Sequence, residues 1–98
     1  MNNAETEILL ITQEECAEVT QAISKIFRFG YDSVYPEDCM EDNRKKLQNE
    51  IGDLLAMIEL MYERNMVNEF EVQQASARKK NKLKIWSKIY SHMTDTVN

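Results

Sequence analysis

Four carboxylates fall at matching positions in two stretches of helix-forming sequence. Glu15 and Glu18 are spaced i, i+3 in the first stretch, and Glu50 and Asp53 have the same spacing in the second. Side chains with this spacing lie next to each other on one face of an α-helix. Two such helices packed together can therefore bring both pairs to one point.

Each pair also lies inside an apolar stripe when its helix is drawn at about 100° per residue. Glu15 is central in the first stripe, whose apolar members are Ile8, Ile11, Val19, Ala22, Ile26 and Phe29. Glu50 is central in the second stripe, whose apolar members are Leu47, Leu54, Met57 and Met61. Carboxylates in an apolar interface are costly unless another charge neutralises them.

A divalent cation is the neutralising partner that fits best, because Mg²⁺ and Mn²⁺ prefer oxygen ligands. Acid pairs at i, i+3 are also common on solvated helix faces, and they can form salt bridges with lysine or arginine. Two pairs within apolar stripes on consecutive helices favour the metal interpretation. We therefore predict a Mg²⁺ site, with Mn²⁺ as an alternative cation, held by Glu15, Glu18, Glu50 and Asp53.

The composition predicts an all-α fold. The 98 residues include two Gly and one Pro, too few for the turns of a β-rich fold, and helix-forming residues are plentiful. We predict a single domain over 1–98, with three main helices at about 4–29, 43–65 and 69–91 and a loop at 30–42.

Residues at the predicted helix ends support these boundaries. Gly30 is suited to stop the first helix, and either Asp42 or Asn43 can cap the second. Asn68, with Glu71 three residues later, is typical of a third helix start.

Three helices give one chain only a thin core. Apolar residues also lie outside the main stripes, at Leu9, Ile23, Phe27, Leu55 and Ile58. A helix with more than one apolar face requires more than one packing partner. We therefore expect a homodimer or homotetramer that completes a four-helix-bundle-type core between chains.

Two motifs in this arrangement resemble those of a known family. Glu14-Glu15-Cys16-Ala17-Glu18 matches E-E-x-x-E, and Glu50-Ile51-Gly52-Asp53 matches E-x-x-D. In this order, on successive helices, they resemble the signature of the all-α NTP pyrophosphohydrolases. That superfamily includes MazG proteins, dimeric dUTPases, dCTP pyrophosphatases and phosphoribosyl-ATP pyrophosphohydrolase. The resemblance covers roughly residues 8–90, and within the superfamily it is to small single-domain MazG-like proteins, some of them encoded by phages.

The resemblance implies a Mg²⁺-dependent hydrolase that cleaves a nucleoside triphosphate between its α and β phosphates. The products are the nucleoside monophosphate and pyrophosphate. Glu15, Glu18, Glu50 and Asp53 are then the metal ligands, and Glu14 or Glu15 is the candidate general base. This agrees with the chemistry, because phosphate-anhydride hydrolysis mainly requires charge neutralisation and an aligned water.

Lysines on the third predicted helix are candidates for binding phosphate. Lys79 is central and Lys82 peripheral in a stripe whose other members are Val72, Ala75, Leu83, Trp86 and Tyr90. A lysine on an apolar face requires an anionic partner, and the β and γ phosphates are one. The alternative is a lysine stem that crosses the core rim with its ammonium group in water, the favoured interpretation for Lys82. For Lys25 and Arg28, near the end of the first helix, we expect a surface role.

The net charge of −5 argues against a nucleic-acid-binding protein, and the longest apolar run, residues 8–11, is too short to span a membrane. Cys16 and Cys39 have no evident pairing, and the N-terminus lacks a basic leader, so we expect a cytoplasmic protein with reduced thiols.

Two other functions stay open. One is a non-catalytic helical oligomerisation or binding module with structural salt bridges, and the other is phosphoribosyl-ATP pyrophosphohydrolase-like activity.

Overall fold

The computed structural model describes residues 1–34 and 41–91. The described residues form three main helices, α1 (Asn3–Phe29), α2 (Asn43–Glu63) and α3 (Glu69–Trp86). The described residues form no strand, although an isolated antiparallel bridge joins Val34 to Asp42. The predicted all-α class is confirmed. Part of the predicted loop at 30–42, including Cys39, lies outside the described residues.

The chain forms two compact units, Met1–Met66 and Val67–Asn98. The first contains α1 and α2, and the second contains α3. The single domain over 1–98 therefore stays a prediction. No helix in the described part of the chain has a stretch long and apolar enough to cross a bilayer.

Both ends of α1 are capped by local hydrogen bonds. The Asn2 Oδ1 accepts from the Glu5 backbone N–H at 2.8 Å, and a Glu5 carboxylate oxygen accepts from the Asn2 N–H at 2.9 Å. This reciprocal pair is a capping box. At the other end the Gly30 N–H donates to the Ile26 carbonyl at 2.7 Å, and Gly30 adopts φ +87° and ψ 168°. That conformation is open essentially only to glycine.

The buried Asn43 connects the end of α1 to the start of α2. Its side chain is 1% exposed, and its Nδ2 donates to the Gly30 carbonyl at 3.0 Å. Its backbone N–H donates to the Ser33 carbonyl at 3.1 Å, and the next N–H, of Arg44, donates to the Tyr31 carbonyl at 2.9 Å. These bonds hold the two helices as an antiparallel hairpin.

The ends of α2 follow the same local rules. Asp42 is the N-cap, because its carboxylate accepts from the Lys45 N–H at 2.8 Å. The C-terminal end is a Schellman motif, in which the Met66 N–H donates to the Met61 carbonyl and Asn65 has a positive φ of 58°. The helix therefore stops at Glu63 rather than near 65.

The core of the first unit is small and lies between α1 and α2. Ile8, Ala22 and Met57 are its buried apolar side chains. Other members of the two predicted stripes are half-buried, namely Ile11, Val19, Ile26, Leu47, Leu54 and Met61. Phe29 is exposed instead, because it is the last residue of α1 and the chain turns away at Gly30.

Several large apolar side chains of this unit are exposed in the single chain. Phe27 is 86% exposed, and the other off-stripe residues Leu9, Ile23 and Leu55 are also exposed. Ile58 is half-buried. Oligomerisation remains a prediction that this distribution supports.

Helix α3 begins as predicted and ends earlier. The Asn68 side chain accepts from the Glu71 N–H at 2.9 Å. The helix stops at Trp86, because Ser87 is extended and its hydroxyl donates to the Leu83 carbonyl at 2.7 Å. A helical turn resumes over 89–91, where the Ile89 N–H donates to the Ser87 hydroxyl at 3.3 Å.

The two glycines give a matched test of the α1–α2 connection. Gly30→Ala introduces a Cβ at a conformation that L-residues avoid, so we expect a loss of about 1–3 kcal/mol in the free energy of unfolding. Gly52→Ala adds a Cβ in open space within α2, so we expect a gain of about 0.5–1 kcal/mol. Urea denaturation of the metal-free protein measures the change in the free energy of unfolding for both variants. A Gly30→Ala protein as stable as wild type would contradict the described connection.

Candidate metal centre

Helices α1 and α2 bring together carboxylates that are far apart in sequence. Glu15 from α1 and Glu50 and Asp53 from α2 each offer an oxygen, and these three oxygens lie within 4.8 Å of one another. Glu15 and Glu50 are half-buried at the helix interface, and Asp53 is exposed beside them. We call these three residues the carboxylate cluster. The i, i+3 spacing in α2 and the antiparallel packing of α1 account for its geometry.

The electrostatics of the cluster are dominated by like charge. Burial raises the pKa of the Glu15 carboxyl most, followed by the negative charges of Asp53, Glu18 and Glu14. Burial also leads in raising the pKa of Glu50, followed by the charges of Glu18, Asp53 and Glu15. The folded chain therefore concentrates negative charge where two of the carboxyls are partly removed from water. A bound cation would offset both effects.

The predicted ligand Glu18 occupies a different position from the other three. It is exposed on α1 and lies outside the cluster of converging oxygens, but its charge acts on both Glu15 and Glu50. Glu14 is also exposed and acts on Glu15 by its charge. The structure therefore brings three of the four predicted ligands together and leaves Glu18 and Glu14 at the rim.

The predicted phosphate ligands Lys79 and Lys82 are both exposed on α3. Their expected apolar stripe is incomplete within the single chain, because Trp86 is 82% exposed and Val72 is also exposed. Leu83 is half-buried. Since α3 belongs to the second compact unit, the contact of these lysines with phosphate stays a prediction.

A small polar cavity next to the cluster was not predicted from the sequence. It has a volume of about 90 Å³, and its lining residues are Glu18, Gln21, Ala22, Lys25, Asn43, Lys46 and Glu50. One sequence signal could have indicated it. Asn43 precedes Glu50 by seven residues and Lys46 precedes it by four, so that all three share a face of α2.

A comparison with protein families identifies a match over most of the chain. The family model of the MazG nucleotide pyrophosphohydrolase domain matches residues 3–87. This confirms the resemblance inferred from the two acidic motifs. No curated protein and no solved structure gives a match.

The raised pKa values predict how pH changes the stability of the metal-free protein. Because the shift at Glu15 is upward, the folded chain binds protons there more readily than the unfolded chain, and ionised Glu15 opposes folding. We therefore expect Glu15→Gln to melt at a higher temperature than wild type at neutral pH. This difference in melting temperature should shrink as the pH falls from the raised pKa of Glu15 towards the ordinary pKa of a glutamate, because the wild-type Glu15 carboxyl then becomes protonated.

Thermal melting in a chelator across this pH range measures the effect. The matched control is Glu59→Gln, which removes an exposed carboxylate of α2 outside the cluster. A Glu15→Gln protein that is less stable than wild type at neutral pH would indicate that Glu15 forms a stabilising ion pair instead.

Proposed function

Because the chain belongs to the MazG nucleotide pyrophosphohydrolase family, we propose that it is a Mg²⁺-dependent hydrolase of nucleoside triphosphates. Its substrates are ribo- or deoxyribonucleoside triphosphates of the cytoplasmic pool, and its products are the monophosphate and pyrophosphate. The observation that carries this proposal is the convergence of the Glu15, Glu50 and Asp53 carboxylate oxygens within 4.8 Å.

The donor set of the cluster fits a hard divalent cation. All three groups are carboxylates, which Mg²⁺ and Mn²⁺ prefer over nitrogen or sulfur ligands. Two oxygens that bind one Mg²⁺ can be at most about 4.2 Å apart, since each lies about 2.1 Å from the ion. A spread of up to 4.8 Å therefore requires only small side-chain movements. When bound, the cation neutralises phosphate oxygens and lowers the pKa of a coordinated water.

The rim carboxylates have a separate role in this proposal. Glu18 is exposed one turn from Glu15 and would supply a fourth carboxylate ligand to a bound cation. Glu14 is exposed and neighbours Glu15, where it can orient the attacking water or accept its proton. Glu14 and Glu15 are thus the candidate bases. Lys79 and Lys82 of α3 are proposed to contact the phosphates.

The active form is proposed to be a homodimer or homotetramer. The single chain leaves Phe27 86% exposed on α1, with Leu55 exposed on α2, and its own core is small. A second copy that covers these surfaces would complete a four-helix-bundle-type core. Sedimentation equilibrium at micromolar concentration should therefore give a mass of two or four chains. A monomer would contradict the assembly and leave the cluster unaffected.

Loss of one cluster carboxylate should remove catalysis and preserve the fold. We expect wild type with Mg²⁺ to release pyrophosphate and monophosphate in equal amounts. We expect Glu15→Gln and Asp53→Asn to lose at least about a hundredfold in kcat/KM, because even residues that only support metal ligands cost up to that much.

Pyrophosphate release over a panel of nucleoside triphosphates measures this effect, and Glu59→Gln serves as the control with unchanged turnover. Thermal melting gives an independent measurement, because Mg²⁺ that binds the native cluster must raise the wild-type melting temperature. A module with purely structural salt bridges would show neither turnover nor this stabilisation. Wild-type turnover in either cluster variant would exclude the proposed site.

A further inference from the structure

A buried asparagine lies at the start of α2, in a helix contact whose other buried side chains are apolar. Asn43 is 1% exposed and is the only buried polar side chain in the ranges 1–34 and 41–91. Its Nδ2 donates to the Gly30 carbonyl at 3.0 Å, while its Oδ1 has no hydrogen-bond partner in the described part of the chain. A buried amide with one unpaired atom costs stability. Its presence therefore requires an explanation other than stability.

The apolar stripes of α1 and α2 do not by themselves determine how the two helices align. Both stripes repeat every three or four residues, so sliding α2 along α1 by one turn leaves apolar side chains opposite apolar side chains. The fully buried apolar part of the contact is also small, since its members among the described residues are Ile8, Ala22 and Met57. Apolar packing therefore discriminates weakly between neighbouring registers.

The carboxylate cluster, in contrast, requires one register. Glu15 converges with Asp53 in the structure, and a slip of four residues would bring Asp53 level with Ile11 or Val19 instead. One helical turn is about 5.4 Å, which exceeds the 4.8 Å within which the cluster oxygens converge. A hairpin in a neighbouring register would thus keep its apolar contact and lose the metal site.

The Asn43 side chain connects α2 directly to the end of α1. Gly30 is the C-cap of α1, and its N–H donates to the Ile26 carbonyl at 2.7 Å. The Gly30 carbonyl in turn accepts from the Asn43 amide. The first backbone N–H groups of α2 bond instead to the segment that follows Gly30. The side-chain bond therefore holds α2 against the end of α1 itself.

We propose that Asn43 is a positioning residue that selects the register in which the carboxylate cluster can bind a divalent cation. This inference rests on the proposed function, because it concerns the same metal site. A single buried asparagine fixes the register of paired helices in coiled coils, at a cost in stability. Asn43 acts in the same way two helical turns before Glu50, through the alignment of the helices and without contacting the cation.

Asn43→Leu tests this role in the full chain, because leucine branches at the same atom and replaces both amide atoms by methyl groups. We expect its melting temperature in a chelator to be no lower than that of wild type, since the unpaired Oδ1 is removed. We expect its Kd for Mn²⁺ to rise about tenfold to a hundredfold, as for other groups that orient metal ligands indirectly. Electron paramagnetic resonance of the free Mn²⁺ measures the Kd.

The dependence of turnover on Mg²⁺ gives a further measurement. Pyrophosphate release by Asn43→Leu should fall at limiting Mg²⁺ and recover in part when Mg²⁺ is raised, because a higher cation concentration favours the register that binds the cation. A loss of turnover that no Mg²⁺ concentration restores in any part would contradict a role in metal binding.

Ile8→Val is the matched control for stability. Ile8 is buried at the other end of the helix contact and precedes Glu15 by seven residues, the same number that separates Asn43 from Glu50. The variant should melt at a lower temperature than wild type, because it removes a buried methylene. Its Kd for Mn²⁺ should stay within about twofold of wild type, because the connection is unchanged.

Three results would overturn the positioning role. The first is a wild-type Kd for Mn²⁺ in Asn43→Leu. The second is equal weakening of Mn²⁺ binding by Asn43→Leu and Ile8→Val, because general destabilisation would then explain both. The third is a melting temperature of Asn43→Leu below that of Ile8→Val, because Asn43 would then serve stability.

The binding measurement also separates this inference from the proposed function. If wild type hydrolyses triphosphates and Asn43→Leu binds Mn²⁺ as wild type does, the function stands and the positioning role is wrong. If wild type binds Mn²⁺, Asn43→Leu weakens that binding and neither protein hydrolyses any triphosphate, the positioning role stands and the proposed function is wrong.

Discussion

Repulsion among the carboxylates at the α1–α2 interface is the constraint on which the rest of the hairpin depends. Glu15, Glu50 and Asp53 converge within 4.8 Å, and the upward pKa shifts of Glu15 and Glu50 arise from burial and from neighbouring negative charge. The packing of α1 against α2 must oppose this repulsion with few buried apolar side chains. These are Ile8 and Met57 at one end of the helix–helix contact and Ala22 at the other. Small domains have a net stability of only about 5–15 kcal/mol, so such a cluster is a substantial cost. An arrangement that sacrifices stability locally is typical of functional sites.

The connection between α1 and α2 determines which carboxylates face one another. A slip of one helical turn, about 5.4 Å, would separate Glu15 from Asp53 by more than the width of the cluster. The buried amide of Asn43 opposes that slip, because it donates to the Gly30 carbonyl while its backbone N–H donates to Ser33. The site therefore depends on a polar residue two helical turns away from it, in addition to the apolar core.

Much of this architecture could be predicted from the sequence because it depends on local rules. The periodicity of apolar residues placed Glu15, Glu50 and Asp53 on the facing sides of two helices, and cap chemistry identified Gly30 and Asn68. The predictions were less successful where a side chain competes with the backbone or where the chain turns. The Ser87 hydroxyl ends α3 before 91, and Phe29 is exposed at the end of α1.

The burial of Asn43 could not be predicted, because it depends on a hydrogen bond to a residue thirteen positions earlier. In the sequence Asn43 is only an alternative to Asp42 as the N-cap of α2, and in the structure Asp42 is the N-cap. The position of Lys46 beside Glu50 in the small polar cavity was not predicted either. Its four-residue spacing from Glu50 is visible in the sequence, but the cavity that both residues line exists only after α1 has packed against α2.

The order of charges along the hairpin links its stability to the proposed chemistry. Carboxylates converge at one level of the helix contact, and lysines flank the cavity on the side of the connection. A divalent cation has the charge that complements these acids, and its binding would relieve the repulsion that raises the pKa values of Glu15 and Glu50. A cation that binds only the folded hairpin stabilises it by mass action. The same carboxylates that weaken the metal-free hairpin would thus couple its stability to the concentration of the cation.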